Sequence, residues 1–362
     1  MMGLLICYID TLRTWSIPFY NILWAELVQD HLIINYALPS NENVIPATLR
    51  YFIESKRQPV EDWISKLLDC SYAGSQQKKH AKVLVNPHSG QGKARRWYSK
   101  YIAPLLRAAR CSIDATETRY AGQGIAISEA LNLVAFDMVV VCSGDGLAHE
   151  VFNGLGKRPD AMKALSKIAV AHIPCGSGNG LSHNLNGTGI ASVATLAVIK
   201  GVRKPLDLIS ITQRDTRTLS FLSQTTGMGA ESDLATEHLR CMGDVRFKLG
   251  FVMRILTKKV YPSEIAVKIA IDSKPSIMDH YAKEISKHAL KDAQLNTQCL
   301  LEGNPTEEGQ TDDGLPPLNY GTIKDKTPED WVVIPCDNLG MLYCGNVSLF
   351  SLLFLNSTLI NL

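Results

Sequence analysis

The chain lacks a strong charge of either sign. Its 362 residues carry 37 Lys and Arg against 35 Asp and Glu, a formal net charge of +2. That balance makes no case for a nucleic-acid partner. It also lacks an uninterrupted apolar run of the roughly 18 residues that a membrane span needs, so no transmembrane span is expected. The nearest approach, VSLFSLLFLNSTLINL from Val347, is broken by Ser348, Ser351, Asn356 and Ser357. The N-terminus MMGLLICYID has no basic flank and is broken by Asp10, which makes a poor signal peptide. Gly3 does not directly follow the initiator methionine, so the myristoylation pattern is missing too. The nine cysteines are scattered, and none forms a close pair with metal-ligand spacing. Reduced thiols are expected and no residue is singled out as a metal ligand. A content of 46% hydrophobic and 20% charged residues suits a folded protein, and the length predicts two domains with an extra segment.

Residues 1–78 read as an N-terminal extension without visible chemistry. HLIINYAL from His31 is strand-like. EDWISKLLDCSYA from Glu61 is helix-like, with Trp63, Ile64, Leu67 and Leu68 on one face. GSQQKKH reads as a linker. From residue 79 to 208 strands and helices alternate, and Pro104 predicts a kink in the stretch that starts at Ala94. A helix is expected over about Ile125 to Val134, and another near His149. This pattern predicts an α/β domain with a parallel sheet covered by helices on both faces. Past Pro205 the regular helices stop, and a β-rich, sandwich-like domain is expected over 209–349. One helix is expected there from about Ser232 to Arg240, and a polar insertion over 273–330. Residues 350–362 form an atypical apolar tail.

Three glycine-rich turns follow apolar strands, and all fall where parallel sheets bind ligands, at strand carboxyl ends. Such turns leave backbone N–H groups free and let a charged ligand approach, which points to a polyphosphate. In the first, Asn86, Ser89, Gly90, Gly92 and Lys93 stand in NPHSGQGK, with Arg95 and Arg96 as further cations. It is neither a Walker loop nor a dinucleotide fingerprint. In the second, Ser143, Gly144, Asp145 and Gly146 form SGDG, followed by His149 and Glu150. A carboxylate between two glycines has no packing role to expect. Beside a bound polyphosphate it can take the proton of an incoming hydroxyl or hold Mg²⁺. Glu150 can orient a neighbour or complement a helix N-terminus. In the third, Gly176, Ser177, Gly178 and Asn179 open a helix with backbone donors and a hydroxyl. Asn179 can close this loop or reach a nucleotide.

Taken together, SGDGLAHEVFNGL, PCGSGNGLSHNL and NPHSGQGKARRW resemble the sphingosine (sphingoid long-chain base) kinases, most closely the fungal branch. These are relatives of the diacylglycerol kinases and share a fold distantly with NAD kinases. The resemblance covers about Tyr20 to Asn346. It implies an ATP-dependent lipid kinase, with Mg²⁺, that phosphorylates the primary hydroxyl of a sphingoid base. It also implies peripheral association with intracellular membranes or the plasma membrane from the cytoplasm. In GMGAESDLATEHLRCMGDVRFKLG, Asp233 resembles the carboxylate that reads the polar head of the base, and Glu237 is expected beside it on the same helix face. Arg240 and Arg246 match arginines that approach the nucleotide phosphates, and Thr118 matches a contact near the base and sugar. A diacylglycerol or ceramide kinase, or an impaired fragment that only binds nucleotide or lipid, are the competing expectations. Members of that family continue past YCGNV with further strands and a late acidic residue. A truncated or altered C-terminal end is therefore expected, with poor folding and little activity.

Overall fold

The computed structural model describes residues 3–8, 13–54, 57–242, 245–257, 259–284, 286 and 314–346. The chain opens with a hairpin of β1 (Gly3–Tyr8) and β2 (Arg13–Pro18). An antiparallel sheet follows, of β3 (Ile22–Val28), β4 (His31–Ser40) and β5 (Asn43–Phe52), with helix α1 (Arg57–Tyr72) after it. In β4 the side chains alternate. Leu32, Ile34 and Tyr36 are buried, which is the period-2 signature of a strand with one covered face.

The parallel sheet has the order β7-β6-β8-β9, from β6 (His80–Val85), β7 (Ser112–Glu117), β8 (Met138–Ser143) and β9 (Ala169–Pro174). The near-continuous apolar run of β8 follows from its position, since it is buried along its whole length. Met138, Val140 and Cys142 face one apolar cluster, and Val139 and Val141 face the other. The first cluster is shared with the N-terminal strands and α1, so these elements are packed onto the parallel-sheet unit rather than tethered to it. Tyr72 donates to the Leu23 carbonyl at 2.7 Å, tying α1 to β3.

The helices around the sheet are α2 (Ala94–Trp97), α3 (Ala103–Ala108), α4 (Gln123–Glu129), α5 (Asp145–Gly156), α6 (Ala161–Lys167), α7 (Gly180–Asn186) and α8 (Ala191–Lys200). The break expected at Pro104 is present. A π-helical turn, Tyr98–Ile102, precedes α3, which restarts with the proline in its first turn, where no N–H is needed. The helix placed over Ile125 to Val134 is shorter and earlier than expected, because Ala130 leaves helical geometry. The helix placed near His149 begins four residues sooner, at Asp145.

The later part pairs strands two by two: β10 (Ile209–Gln213) with β11 (Thr216–Ser220), β12 (Ser223–Gly227) with β15 (Met341–Gly345), and β13 (Ser263–Val267) with β14 (Val332–Cys336). Between them lie α9 (Met228–Ala235), a 3-10 helix Glu237–Met242 and α10 (Val245–Thr257). The polar insertion is not featureless, since residues 274–284 are helical and, apart from half-buried Glu284, exposed. The apolar tail lies outside the described residues.

Candidate active site

The three glycine turns meet, backbone against backbone. A Cβ on Gly176 would lie 2.3 Å from Gly144 Cα, and one on Gly144 would lie 2.9 Å from the Gly178 carbonyl oxygen. Gly90, at φ +55°, sits 3.0 Å from Gly176 by the same measure. Only glycine allows this approach, and at Gly90 the left-handed backbone asks for it as well. Ser89 stitches the first turn to the second. Its Oγ accepts the Gly144 N–H at 2.9 Å and the Ser143 hydroxyl at 3.2 Å. In the third turn Asn179 accepts the Gly176 N–H at 2.9 Å and donates to the Gly176 carbonyl at 3.0 Å. It therefore closes its own loop, the first of its two expected roles. Asn86 accepts the His88 N–H at 3.0 Å and shapes the first turn in the same manner.

Asp145 stands in the middle of this junction as the first residue of α5. The expectation that it has no packing role is overturned. Its Oδ2 accepts the Gly180 N–H and its Oδ1 the Leu181 N–H, each at 2.9 Å, so it caps the N-terminus of α7. These are two of the orphan donors that every helix start presents. The cap fixes the carboxylate in orientation, and 24% of the side chain still faces solvent. Gly146 beside it has open space around it.

Glu150, one turn along α5, accepts the N–H groups of Gly122 at 2.9 Å and Gly124 at 2.8 Å. It holds the start of α4, and with it the loop after β7 that carries Thr118. Thr118 is buried, and its N–H is bonded to the Val85 carbonyl at 2.9 Å. A recess of about 560 Å³ opens here, walled by Pro87, His88, Arg95, Glu117, Thr118 and Gln123. Lys93 is exposed at the start of α2, while Arg95 is engaged with Glu117 at 2.7 Å.

The acidic pair expected on one helix face is not formed. α9 ends at Ala235, where the Thr236 hydroxyl bonds back to the Ser232 carbonyl at 2.7 Å, and Glu237 opens a separate 3-10 helix. Asp233 is exposed and paired with buried Arg246, Nη2 to Oδ1 at 2.7 Å. Two residues expected on different ligands are thus bonded to each other. Arg240 lies in the 3-10 helix, and its side chain is outside the described residues. Phe247, next to Arg246, comes within 3.9 Å of a Cβ built on Gly178, which brings α10 up to the third turn.

Two residues escaped sequence reasoning. Asn153 in α5 donates to the Leu219 carbonyl at 2.9 Å and accepts the Leu219 N–H at 2.8 Å, so its amide pairs with β11 like a strand. An Asn inside an apolar helix face is the signal, since it is unfavourable there without a partner. His172 is wholly buried in β9 behind Asp145. Its signal is a single titratable residue in an apolar strand.

Mg²⁺ is implied by the resemblance, but the described residues do not form a cage for it. No group of three His, Cys, Asp or Glu side chains able to hold a metal stands among the described residues. Each Asp145 oxygen already accepts one N–H of α7. The six cysteines with described side chains are all free, and burial pushes the Cys175 thiol up to about 12. No helix among the described residues is long and apolar enough to cross a membrane.

The stretch of chain that carries this geometry is similar to known proteins. Residues 80–211, which hold the sheet and its turns, match the diacylglycerol kinase catalytic domain. The chain is a relative of the sphingoid long-chain base kinases, as the motifs suggested. It is 39% identical to sphingoid long chain base kinase 5 of Saccharomyces cerevisiae, over 71% of this chain and 39% of that protein. It is 31% identical to sphingoid long chain base kinase 4 of Schizosaccharomyces pombe, over 74% of this chain and 57% of that protein. Human sphingosine kinase 2 is 34% identical over 51% of this chain and 30% of that protein. The chain thus spans less than two thirds of the length of each of these relatives. A solved structure of a putative diacylglycerol kinase from Bacillus anthracis str. Sterne aligns at TM-score 0.42 and 19% identity, over 54% of this chain and 62% of that one. Residues 3–73 match a domain of unknown function, DUF7493.

Proposed function

We propose that this chain carries the catalytic part of a kinase that transfers the γ-phosphoryl group of ATP to the primary hydroxyl of a sphingoid base. The observation that carries the reading is the junction of three glycine turns around the fixed carboxylate of Asp145. The turns supply backbone N–H groups and helix starts for the phosphates. Asn86, Ser89, Gly90, Gly92, Gly144, Gly176, Ser177, Gly178 and Asn179 shape this cradle, with Lys93 as a cation at its rim. The recess by Thr118 has room for the base and sugar, and Glu150 holds its loop. Asp145 keeps free lone pairs beyond its two α7 contacts and takes the hydroxyl proton as the oxygen attacks phosphorus. Mg²⁺, if bound, would be held largely by the nucleotide and water and would supply charge neutralisation there. Arg240 and Arg246 approach the phosphates, and Asp233, paired with Arg246 and without Glu237 on its helix face, meets the cationic head of the base.

A lipid substrate calls for contact with a bilayer. α10 fits that need. Leu249, Val252, Met253, Ile255 and Leu256 are exposed along it, Lys248 and Arg254 accompany them, and the helix contains no Asp or Glu. Peripheral association through this helix, on the cytoplasmic face of a membrane, is part of the proposal.

The test is transfer of radiolabelled phosphate from ATP to sphingosine, with diacylglycerol and ceramide as comparison substrates. Asp145→Asn is expected to lower transfer by about 10²- to 10⁴-fold, with nucleotide affinity little changed. A rate within about threefold of the parent would remove Asp145 from the mechanism. Preference for diacylglycerol or ceramide would replace the sphingoid-base reading.

A further inference from the structure

His172 is completely buried, at 0% exposure, between Ser143 and Asp145. Its Nε2 lies 3.0 Å from the Ser143 carbonyl oxygen. A carbonyl can only accept, so the proton of the ring sits on Nε2. Nδ1 then carries a lone pair. It has no hydrogen-bond partner and lies 3.9 Å from Asp145 Oδ1. Burial is the main influence on the ring and pushes its pKa down; the Asp145 charge and the backbone of Ser143 and Gly144 push it up, and His183 on α7 pushes it down. Burial thus favours the neutral imidazole. Its own strand is held in place, since the Asn186 amide donates to the His172 carbonyl at 2.9 Å.

Two acceptors thus face each other in a dry place, a carboxylate oxygen and a bare ring nitrogen. Such a pair is short of one proton, and an unpaired buried polar atom is costly. We propose that His172 is a positioning residue for phosphoryl transfer, accepting a hydrogen bond from the carboxyl of Asp145 once that group has taken the substrate's hydroxyl proton. The proposal rests on the reading of Asp145 as the proton acceptor. In the step, the lipid oxygen forms its bond to the γ-phosphorus while the bond from that phosphorus to the ADP oxygen breaks. The hydroxyl proton passes to Asp145, and the new O–H points at Nδ1. The proton returns to solvent as the products leave, and no other reactant is needed.

The first experiment needs no turnover. ¹⁵N-imidazole NMR of the full chain is expected to show His172 protonated on Nε2 and bare on Nδ1 at pH 7. In Asp145→Asn the new amide can donate to Nδ1, so the Nδ1 resonance is expected to move. A proton found on Nδ1 in the parent, or an Nδ1 signal indifferent to Asp145→Asn, overturns the proposal. The second experiment is a double-mutant cycle with ATP and sphingosine. His172→Phe and His172→Asn are expected to lower kcat about tenfold, as for a group that acts through another, with KM for ATP unchanged. In the Asp145→Asn background they are expected to add nothing. Full activity of both His172 variants, with Asp145→Asn still crippled, overturns only the role of His172. Full activity of Asp145→Asn overturns the reading it rests on. Equal losses in kcat and nucleotide binding would mark a folding defect and count against the proposal.

Discussion

The chain up to Phe221 and the chain beyond it are held together differently. Every buried hydrophobic side chain among the described residues lies at or before Phe221. There, two apolar clusters sandwich the parallel sheet, and the N-terminal strands add a further layer over α3 and α8. Beyond Phe221 the buried residues besides glycine are polar: Ser232, Thr236 and Arg246. The strands pair in twos, an arrangement that is marginal without a covering layer. The front therefore gets its stability from burial, and the back from hydrogen bonds, with the Asn346 amide donating to the Phe221 carbonyl at 3.1 Å. In the proposed function the reacting groups sit on the front, and the surfaces that would choose a lipid sit on the back.

The sharpest way to break this comparison is to cut one side chain from each part. Leu105→Ala removes a fully buried side chain from α3 and is expected to cost about 2–5 kcal/mol. Leu256→Ala, at a residue 77% exposed on α10, is expected to change stability by no more than about 0.5 kcal/mol. Urea unfolding followed by circular dichroism measures both. Equal losses would mean that the back has a core that burial does not reveal.

Gly176→Ala tests the junction itself. The added methyl would meet the Gly144 backbone at 2.3 and 2.6 Å, and backbone on both sides leaves no flexible group to give way. Forcing the turns apart is expected to cost about 1–3 kcal/mol and to weaken ATP binding, read by calorimetry, while the strands of the back keep their hydrogen-exchange rates.

How far these turns could be read in advance depended on chemistry carried by single residues. Glycines at tight approaches and apolar strands before them are local signals, so the sheet and its three turns were legible. The pairing of the back was not. β12 meets β15, and β13 meets β14, across stretches with no periodic pattern to tie them. Asp145 was read as chemically active, but its second duty as the cap of α7 depends on Gly180 and Leu181, which reach it only in the folded chain. The acidic pair failed because Thr236 ends α9 through its own hydroxyl, and helical spacing had been assumed to run through it.

The front also holds two buried lysines that the back has no counterpart for among the described residues. Lys79 Nζ donates to the carbonyls of Val198, Ile199 and Gly201, and Lys200 Nζ to those of Ile22 and Ser71. Burial lowers Lys79 to about 8 and Lys200 to about 7, from an ordinary value of 10.5. The unfolded chain then holds more protons than the folded one between about pH 7 and 10.5. Stability of the front is expected to rise with pH across that window and to fall as pH drops through it. Urea midpoints at pH 6.5, 7.5 and 8.5 measure the slope. In Lys200→Met the slope is expected to be shallower, and an unchanged slope would free Lys200 of the effect.

The smallest expected effect sharpens what the back is for. Asp233 has 58% of its side chain exposed, yet it is bonded to Arg246, which is 9% exposed and stacked over Phe247 at 4.0 Å. If the pair only fastens α10 to α9, Asp233→Ala should lower stability slightly and touch nothing else. Half-exposed ion pairs contribute about 0–1 kcal/mol, so the shift in urea midpoint is expected to be small. If the carboxylate also meets a cationic lipid head, the same change should weaken sphingosine binding more than ATP binding. It should leave binding of a neutral diacylglycerol nearly as it was, because that lipid offers no ammonium to pair with. Vesicle binding with each lipid, alongside ATP calorimetry, separates the two. Equal loss toward sphingosine and diacylglycerol would assign Asp233 to fastening α10 alone, and the selection of the base would then have to come from another part of the back.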